Sequence, residues 1–280
     1  MLAYRHAFHA GNHADVLKHI VLMLVLRHMN AKPKTYRYVD THGGAGGYSL
    51  EGRYAQKKGE YERGIGRLWT RTDLPEIVAD YVALVRRFNP DGVLAQYPGS
   101  PALAQLLLRP QDQLRAFELH PTEQKILHAT LAGTPGALAN DGDGFTGLRS
   151  QLPPPSRRAV ILIDPSYEGE GDYRKVVSTL REALERFAEG VYVVWYPQVT
   201  KLAAAEMPRR LEALAPGNWL NVRLTVQEVD HQGFGLAGSG VFVINPPHTL
   251  RGMLAGVLPY LVDLLGQFDG ASFQLDHRDA

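Results

Sequence analysis

The clearest signal along the chain is an alternation of two kinds of apolar pattern. Val16, Ile20, Met23 and Leu24 recur at helical spacing after Asn12, which can cap the helix, and Pro33 closes that segment. Thr35–Asp40 is β-branched and aromatic and reads as a strand. Leu114–Leu119, Gly136–Asn140, Ala159–Asp164, Val191–Tyr196, Leu220–Val229 and Val241–Asn245 read as further extended segments. Helical patterns lie between them, over Ala102–Arg109, after Leu119, and over Tyr173–Glu189, Lys201–Leu214 and Leu250–Leu265. Gln151–Arg158 reads as a loop and Gly233–Gly240 as a glycine-rich turn, while the polar tail from Phe268 is expected to be loosely held. Ala159–Asp164 is unbroken in its apolar character, as a strand covered on both faces must be. Strands alternating with helices predict an α/β domain with a mostly parallel sheet, which binds ligands at the carboxyl ends of its strands.

One stretch interrupts this rhythm. Residues 51–97 read as helices, over Tyr61–Trp69 and Pro75–Phe88, where a doubly wound fold offers only a short connection. Asp40 ends the first strand and Glu118 the second, 78 residues later. In dinucleotide folds the acid on the second strand follows the glycine loop by about 20 residues. The surplus matches the helical block, so residues 51–97 are read as an inserted subdomain. Residues 1–50 and 98–280 then form the main domain, with residues 1–30 as an N-terminal motif. The helix that normally follows the glycine loop is displaced to Pro98–Pro101, which puts Ser100 at its start as the expected cap.

The composition is that of an ordinary globular chain of 280 residues, 45% hydrophobic and 21% charged. The absence of cysteine excludes a disulfide scaffold, a thiolate nucleophile and a zinc–cysteine site. The longest apolar run, Ile20–Leu26, is far short of the roughly 20 residues a membrane span needs, so it is expected to be a buried helix. Net charge is only +1, but the first 39 residues hold six Lys and Arg against Asp15 alone, and six of the eleven histidines lie in the first 42. A basic end of this kind suits nucleic acid. His6, His9, His13 and His19 lack the acid partners and the spacing of a zinc enzyme, so no metal is expected.

Two sites of chemistry stand at predicted strand ends. The glycine-dense loop His42–Tyr48 after Asp40, with Glu118 and Asp143 at the next two strand ends, fits either a dinucleotide or S-adenosylmethionine. No helix clearly follows Gly47 to face a pyrophosphate, which favours the ligand without phosphates. Asp164-Pro165-Ser166-Tyr167 ends the most apolar strand. An exocyclic amine on a nucleobase is a poor nucleophile, because its lone pair is delocalised into the ring. The Asp164 carboxylate and the Pro165 carbonyl can each accept one of its N–H bonds and aim the lone pair at a methyl donor, while Tyr167 can stack on the ring. Asn245-Pro246-Pro247-His248 looks similar, but it follows the last strand and lacks the aromatic, so it is read as a structural turn.

The segments Asp40–Tyr48, Phe117–Pro121, Asn140–Phe145 and Asp164–Tyr167, in that order, resemble class I S-adenosylmethionine-dependent amino-methyltransferases. The N-terminal segment Tyr4–His19 is more specific and is similar to the RlmJ family of 23S ribosomal RNA adenine-N6 methyltransferases. The resemblance implies a Rossmann-like fold with a seven-stranded sheet and an inserted helical subdomain. It implies cofactor contacts at His19, His42, Ser100, Glu118, Asp143, Gly144 and Asp164, with Asp164 catalytic and S-adenosylhomocysteine as the product. It also places Tyr4, His6 and Lys18 near cofactor and substrate, Tyr4 by stacking and Lys18 by reaching a cofactor carboxylate or an RNA phosphate. A monomeric cytoplasmic enzyme acting on 23S ribosomal RNA, with no metal and no membrane partner, is the expectation. A DNA adenine-N6 methyltransferase, a non-catalytic RNA-binding relative and a Rossmann oxidoreductase are the competing readings. The chain departs from the family at Ser166, where the pattern has a second proline, and in an extra glycine in the cofactor loop.

Overall fold

A computed structural model describes residues 5–215, 217–229 and 235–279. In chain order the helices are α1 His13–Asn30, α2 Arg53–Lys58, α3 Ile65–Trp69, α4 Glu76–Arg86, α5 Ser100–Leu107, α6 Pro121–Leu131, α7 Gly144–Gln151, α8 Glu170–Arg186, α9 Leu202–Leu214 and α10 Leu250–Leu265. The strands are β1 Arg37–Asp40, β2 Gly47–Ser49, β3 Gln96–Pro98, β4 Gln113–Glu118, β5 Ala137–Asp141, β6 Ala159–Ile163, β7 Val191–Gln198, β8 Trp219–Thr225, β9 Gly238–Ile244 and β10 Ser272–Arg278. Single 3₁₀ turns cover His6–Phe8 and Glu60–Arg63.

The main sheet runs β10-β8-β9-β7-β6-β1-β4-β5. The pairings β6–β7, β1–β6, β1–β4 and β4–β5 are parallel, whereas β7–β9, β8–β9 and β10–β8 are antiparallel. Each central strand alternates between two cores, as pleating requires. Val160 and Leu162 of β6 join a core with α1, α5 and α10, and Ile161 and Ile163 join one with α8 and α9. All five residues of β6 are buried, as its apolar run predicts. Helix α1 begins as expected, with the Asn12 side chain accepting hydrogen bonds from the backbone N–H groups of Ala14 and Asp15. Ile20–Leu26 is buried within it, with no residue above 6% exposure. Among the described residues no helix is long and apolar enough to cross a membrane.

Among the described residues the sheet has eight strands, not the seven expected. The polar tail supplies the eighth: Ser272–Arg278 forms a seven-residue antiparallel ladder with β8. Most of its side chains are exposed, so the strand is held by backbone pairing, which an apolar-pattern reading does not register.

Residues 51–97 leave and return through β2 and β3, which pair with each other as a separate two-stranded sheet. Its helices do not enclose a core of their own. Ile65, Leu68, Val78, Tyr81, Val82 and Val85 belong to the same apolar cluster as α1 and α10. The β2–β3 pairing sets the chain down beside the glycine loop, where the Gly99 N–H donates to the Gly46 carbonyl at 2.8 Å and α5 starts. Gly99, not Ser100, occupies the cap position of that helix; Ser100 is its first residue, followed by Pro101.

If the β10 ladder stabilises the sheet edge, truncation after Gly270 lowers Tm by several degrees. A tail that merely hung from the domain would leave the melting curve unchanged.

Candidate active site

A cavity of about 420 Å³ opens where the carboxyl ends of β1, β4, β5 and β6 meet, within the range of small-molecule sites. Its walls include His6, Lys18, His42, Ser100, Glu118, Asp143, Gly144, Asp164, Pro165 and Tyr167. The loops that carry them are locked by backbone contacts. Thr41 N–H donates to Leu162 of β6 at 3.1 Å, and Gly43 N–H to Phe117 of β4 at 2.7 Å. Glycine is required at two points. Gly44 has φ +57°, and a Cβ there would stand 2.1 Å from the Tyr48 hydroxyl. At Gly144 a Cβ would stand 1.8 Å from the Thr41 carbonyl oxygen, so any side chain would push α7 off the β1 loop.

The acids around the glycine loop differ in their partners. Asp40 is fully buried and accepts from the Tyr38 hydroxyl at 2.8 Å and the His42 N–H at 3.2 Å. Burial pushes its carboxyl up to about 6, against the hydrogen bonds from Ser100 and Tyr38. Glu118 accepts the His120 N–H at 2.7 Å, and burial raises its carboxyl as well. Asp143 caps α7 by accepting from the Phe145 N–H at 2.9 Å. His42 packs edge-on against Phe145 at 4.6 Å, and burial, aided by Lys175, lowers its imidazole to about 3, so it is neutral.

The end of the cavity at β6 is organised by Lys18. Its Nζ lies 2.6 Å from Oδ2 of Asp164 and 2.8 Å from Oδ1 of Asp15. Oδ2 of Asp15 lies 2.8 Å from Nε2 of His6 and accepts the Gly11 N–H at 2.9 Å. Burial disfavours the Lys18 ammonium, but the two carboxylates outweigh it and raise its pKa. Burial also opposes the Asp15 charge, yet His6 and Lys18 hold that carboxyl well below its ordinary value. Lys18 is therefore an ammonium between two anions that ties α1 to the end of β6. This differs from the expected contact to a cofactor carboxylate or a phosphate.

Two further expectations, for His19 and Tyr167, meet a different geometry, and a third falls on a residue that is not described. Tyr4 lies outside the described residues. His19 is not on the cavity wall: its ring stacks on Tyr97 at 5.5 Å and its Nδ1 lies 2.8 Å from the Tyr97 hydroxyl. The Tyr97 hydroxyl also meets that of Tyr81 at 2.7 Å, so His19 fastens α1 to α4 and β3. Tyr167 is on the wall but only 3% exposed, at φ +52°. Its hydroxyl donates to the Trp195 carbonyl at 2.7 Å and its ring packs on Tyr173 at 4.6 Å, so the ring is held in place rather than free to stack broadly on a base. A left-handed backbone at a bulky residue is strained, and such strain is retained where neighbours over-determine it. Reading the sequence also passed over Asp15 as a member of the site, although Asp15 and Lys18 at i,i+3 share one face of α1.

Asn245-Pro246 lies at the opposite end of the sheet. β9 runs antiparallel to β7, with Ile244 beside Tyr192, so the turn after β9 emerges at the amino ends of the parallel strands. Asn245 takes φ +56° there, and its Nδ2 donates to Ala188 at 2.7 Å and Gly190 at 2.8 Å. Among the described residues no cluster of three or more His, Asp or Glu could hold a metal ion.

The residues present fit S-adenosylmethionine. A cavity of the right size is bounded by the glycine loop, where Gly44 and Gly46 have positive φ, and by acids at the ends of β4 and β5; the start of α5 at Gly99 and Ser100 also stands on its wall beside that loop, against the expectation that no helix start faces the site. Fold and site together define a class I S-adenosylmethionine-dependent methyltransferase. Residues 33–276 match the family model described as "Ribosomal RNA large subunit methyltransferase D, RlmJ", and the chain belongs to that family. It is 46% identical over 261 residues to "Ribosomal RNA large subunit methyltransferase J" of Escherichia coli (strain K12), covering 93% of each chain. The protein of the same name from Haemophilus influenzae is 44% identical, over 95% of this chain and 94% of its own. A crystal structure of a Legionella pneumophila protein superposes with a TM-score of 0.89 at 34% identity, covering 96% of this chain and 98% of that one.

Two outcomes follow from the charges. Lys18→Met leaves Asp15 and Asp164 without their cation and is expected to cost about 4 kcal/mol in urea unfolding. The raised carboxyl of Asp40 contributes stability that is present below pH 3.8 and is lost as pH rises through about 6. Asp40→Asn should therefore flatten the stability–pH curve between those values relative to the parent; parallel curves would show that Asp40 does not titrate there.

Proposed function

We propose that this chain transfers a methyl group from S-adenosylmethionine to N6 of an adenine in 23S ribosomal RNA, acting as a cytoplasmic monomer. The observation that carries this reading is the placement of Asp164 and Pro165 at the end of β6, on the wall of the cavity that also contains the glycine loop. The names of the relatives, both ribosomal RNA large subunit methyltransferases, support the substrate class.

Ser100, Glu118, Asp143, His42 and Gly144 are the residues we assign to the cofactor. Glu118 accepts hydroxyl donors, Asp143 accepts an amine, and the neutral His42 on Phe145 offers an aromatic face. The bound cofactor supplies an electrophilic methyl on a sulfonium. At the other end of the cavity Asp164 accepts one N–H of the adenine amine and the Pro165 carbonyl accepts the other. This pairing turns the nitrogen lone pair out of conjugation and toward the methyl. With the cofactor bound, its sulfonium would supply the methyl to N6 and be left as the neutral thioether, and the Asp164 carboxylate at the amine would take the displaced proton and pass it to solvent. Lys18 fixes the Asp164 carboxylate by one oxygen, so the acceptor stands in position before the base arrives. A base within a duplex has to be unpaired or flipped to reach this depth. Ser166 keeps the Pro165 carbonyl in the motif. What it gives up against a second proline is loop stiffness of about 1 kcal/mol.

We also read residues 51–97 as an insertion between the glycine loop and α5, since β2 and β3 close it at its base.

Incubating the full chain with 23S ribosomal RNA transcript and tritiated S-adenosylmethionine should label the RNA, and nuclease digestion should return the label as N6-methyladenosine. Asp164→Asn is expected to lower kcat by at least about 100-fold, since a preorganised acceptor of this kind contributes several kcal/mol. Label in another nucleoside, or an Asp164→Asn enzyme with full kcat, would refute the assignment.

A further inference from the structure

The cavity is an unfavourable place for a polyanion. Seven carboxylates line it against three lysines, and one of those lysines, Lys18, is committed to Asp15 and Asp164. An RNA strand that delivers one base into this cavity must have its phosphates held outside it, on a surface that begins at the mouth.

One such surface adjoins the His6 wall. The turn His6–Phe8 packs against α2, the first helix after β2. Helix α2 has the sequence Arg-Tyr-Ala-Gln-Lys-Lys, with only Ala55 buried. Its basic residues are arranged on two rings. Arg53 lies over the Tyr54 ring at 4.7 Å and donates to the Tyr54 hydroxyl at 2.7 Å, while Arg5 lies over the same ring at 5.2 Å. Lys57 and Lys58 stand 6.0 and 5.9 Å from the Phe8 ring, and the two rings meet edge-on at 5.0 Å. Lys58 has a carboxylate partner in Glu60 at 3.6 Å and Arg5 a distant one in Glu123 at 3.8 Å. Arg53 and Lys57, both exposed, have their ring contacts and no carboxylate among the described residues. Rings beneath the cations fix where the charges stand without neutralising them, which is what a phosphate-binding surface needs.

We propose that Arg53 and Lys57, supported by Arg5, Phe8 and Tyr54, form a docking surface for the RNA backbone flanking the target nucleotide. The inference rests on the RNA substrate proposed above. It assigns a task to the start of the inserted segment: α2 carries the phosphate contacts that the acidic cavity cannot make. The contacts position the strand and carry no base readout.

The test uses the full chain with 23S ribosomal RNA transcript. Affinity is measured against salt concentration, and methylation kinetics are measured alongside. Arg53→Gln with Lys57→Gln is expected to reduce the slope of log affinity against log salt by about 1 to 2, because each phosphate contact contributes about 0.7 to 0.9. KM for the RNA should rise about tenfold, with kcat and S-adenosylmethionine affinity unchanged. Lys32→Gln with Lys34→Gln makes the same change of net charge at the amino end of β1, away from the cavity, and should leave the slope as it was. An unchanged slope and KM in the Arg53/Lys57 variant, or an equal loss in both variants, would overturn the surface while leaving the methylation reading intact. A parent chain that neither binds nor methylates the transcript would overturn both.

Discussion

A single buried cation organises one end of the cavity. Lys18 sits between Asp15, on its own helix, and Asp164, at the end of the central strand β6. Burying three charges is unfavourable unless each is paired, and here the pairing also joins two segments 146 residues apart. The N-terminal helix thereby becomes part of the cavity wall. Asp15 is in turn gripped by His6 and by the Gly11 N–H, so the chain before α1 is drawn to the cavity mouth by the same carboxylate. Under the proposed function, this pairing holds the Asp164 carboxylate in position before any substrate enters, which is the condition for a site that works by placement.

Around that triad the electrostatics follow from burial. His13, His19 and His42 are pushed down to about 4, 3 and 3, so each is neutral near pH 7 and none adds a cation to the cavity. Asp40 and Glu118 are pushed up. These shifts lower the charge of the individual groups, and the excess of acid comes from the lining itself, seven Asp and Glu against three Lys. Such a site suits a cationic sulfonium ligand and disfavours phosphate, and so the contacts to an RNA backbone have to be made outside it. The two halves of the site are brought together by a small device: β2 and β3 pair at the base of residues 51–97, so α5 starts beside the glycine loop as if the intervening chain were short.

Much of this was legible in the residues, and the exceptions have physical causes. The helix cap at Asn12, the doubly buried β6, the glycine loop after β1 and the acids at the ends of β4 and β5 all leave local marks in composition and spacing. Ser100 was placed at the displaced helix start, but the cap there is Gly99, whose carbonyl accepts the Leu103 N–H, and the neighbouring Gly46 carbonyl leaves no room for a side chain at that cap. His19 follows Lys18 and shares its motif, yet one step along a helix turns a side chain by about 100°, which carries it from the cavity to Tyr97. The tail strand β10 is invisible to an apolar pattern, since its pairing is made by backbone groups that every sequence possesses.

Two motifs that look alike mark the boundary between what is local and what is not. Asp164-Pro165 and Asn245-Pro246 both follow apolar strands, and the sequence by itself determined that both would be turns at strand ends. Strand direction decides which end of the sheet each turn faces. β6 is parallel to β1 and delivers Asp164 to the glycine loop, whereas β9 runs antiparallel to β7 and delivers Asn245 to the far side. Strand identity, the buried helix and the chemical character of the candidate residues are set by side chains close together in the chain. The pairing of Lys18 with Asp164, the exclusion of His19 from the cavity and the capture of the tail depend on contacts between distant segments, and those exist only once the sheet has assembled.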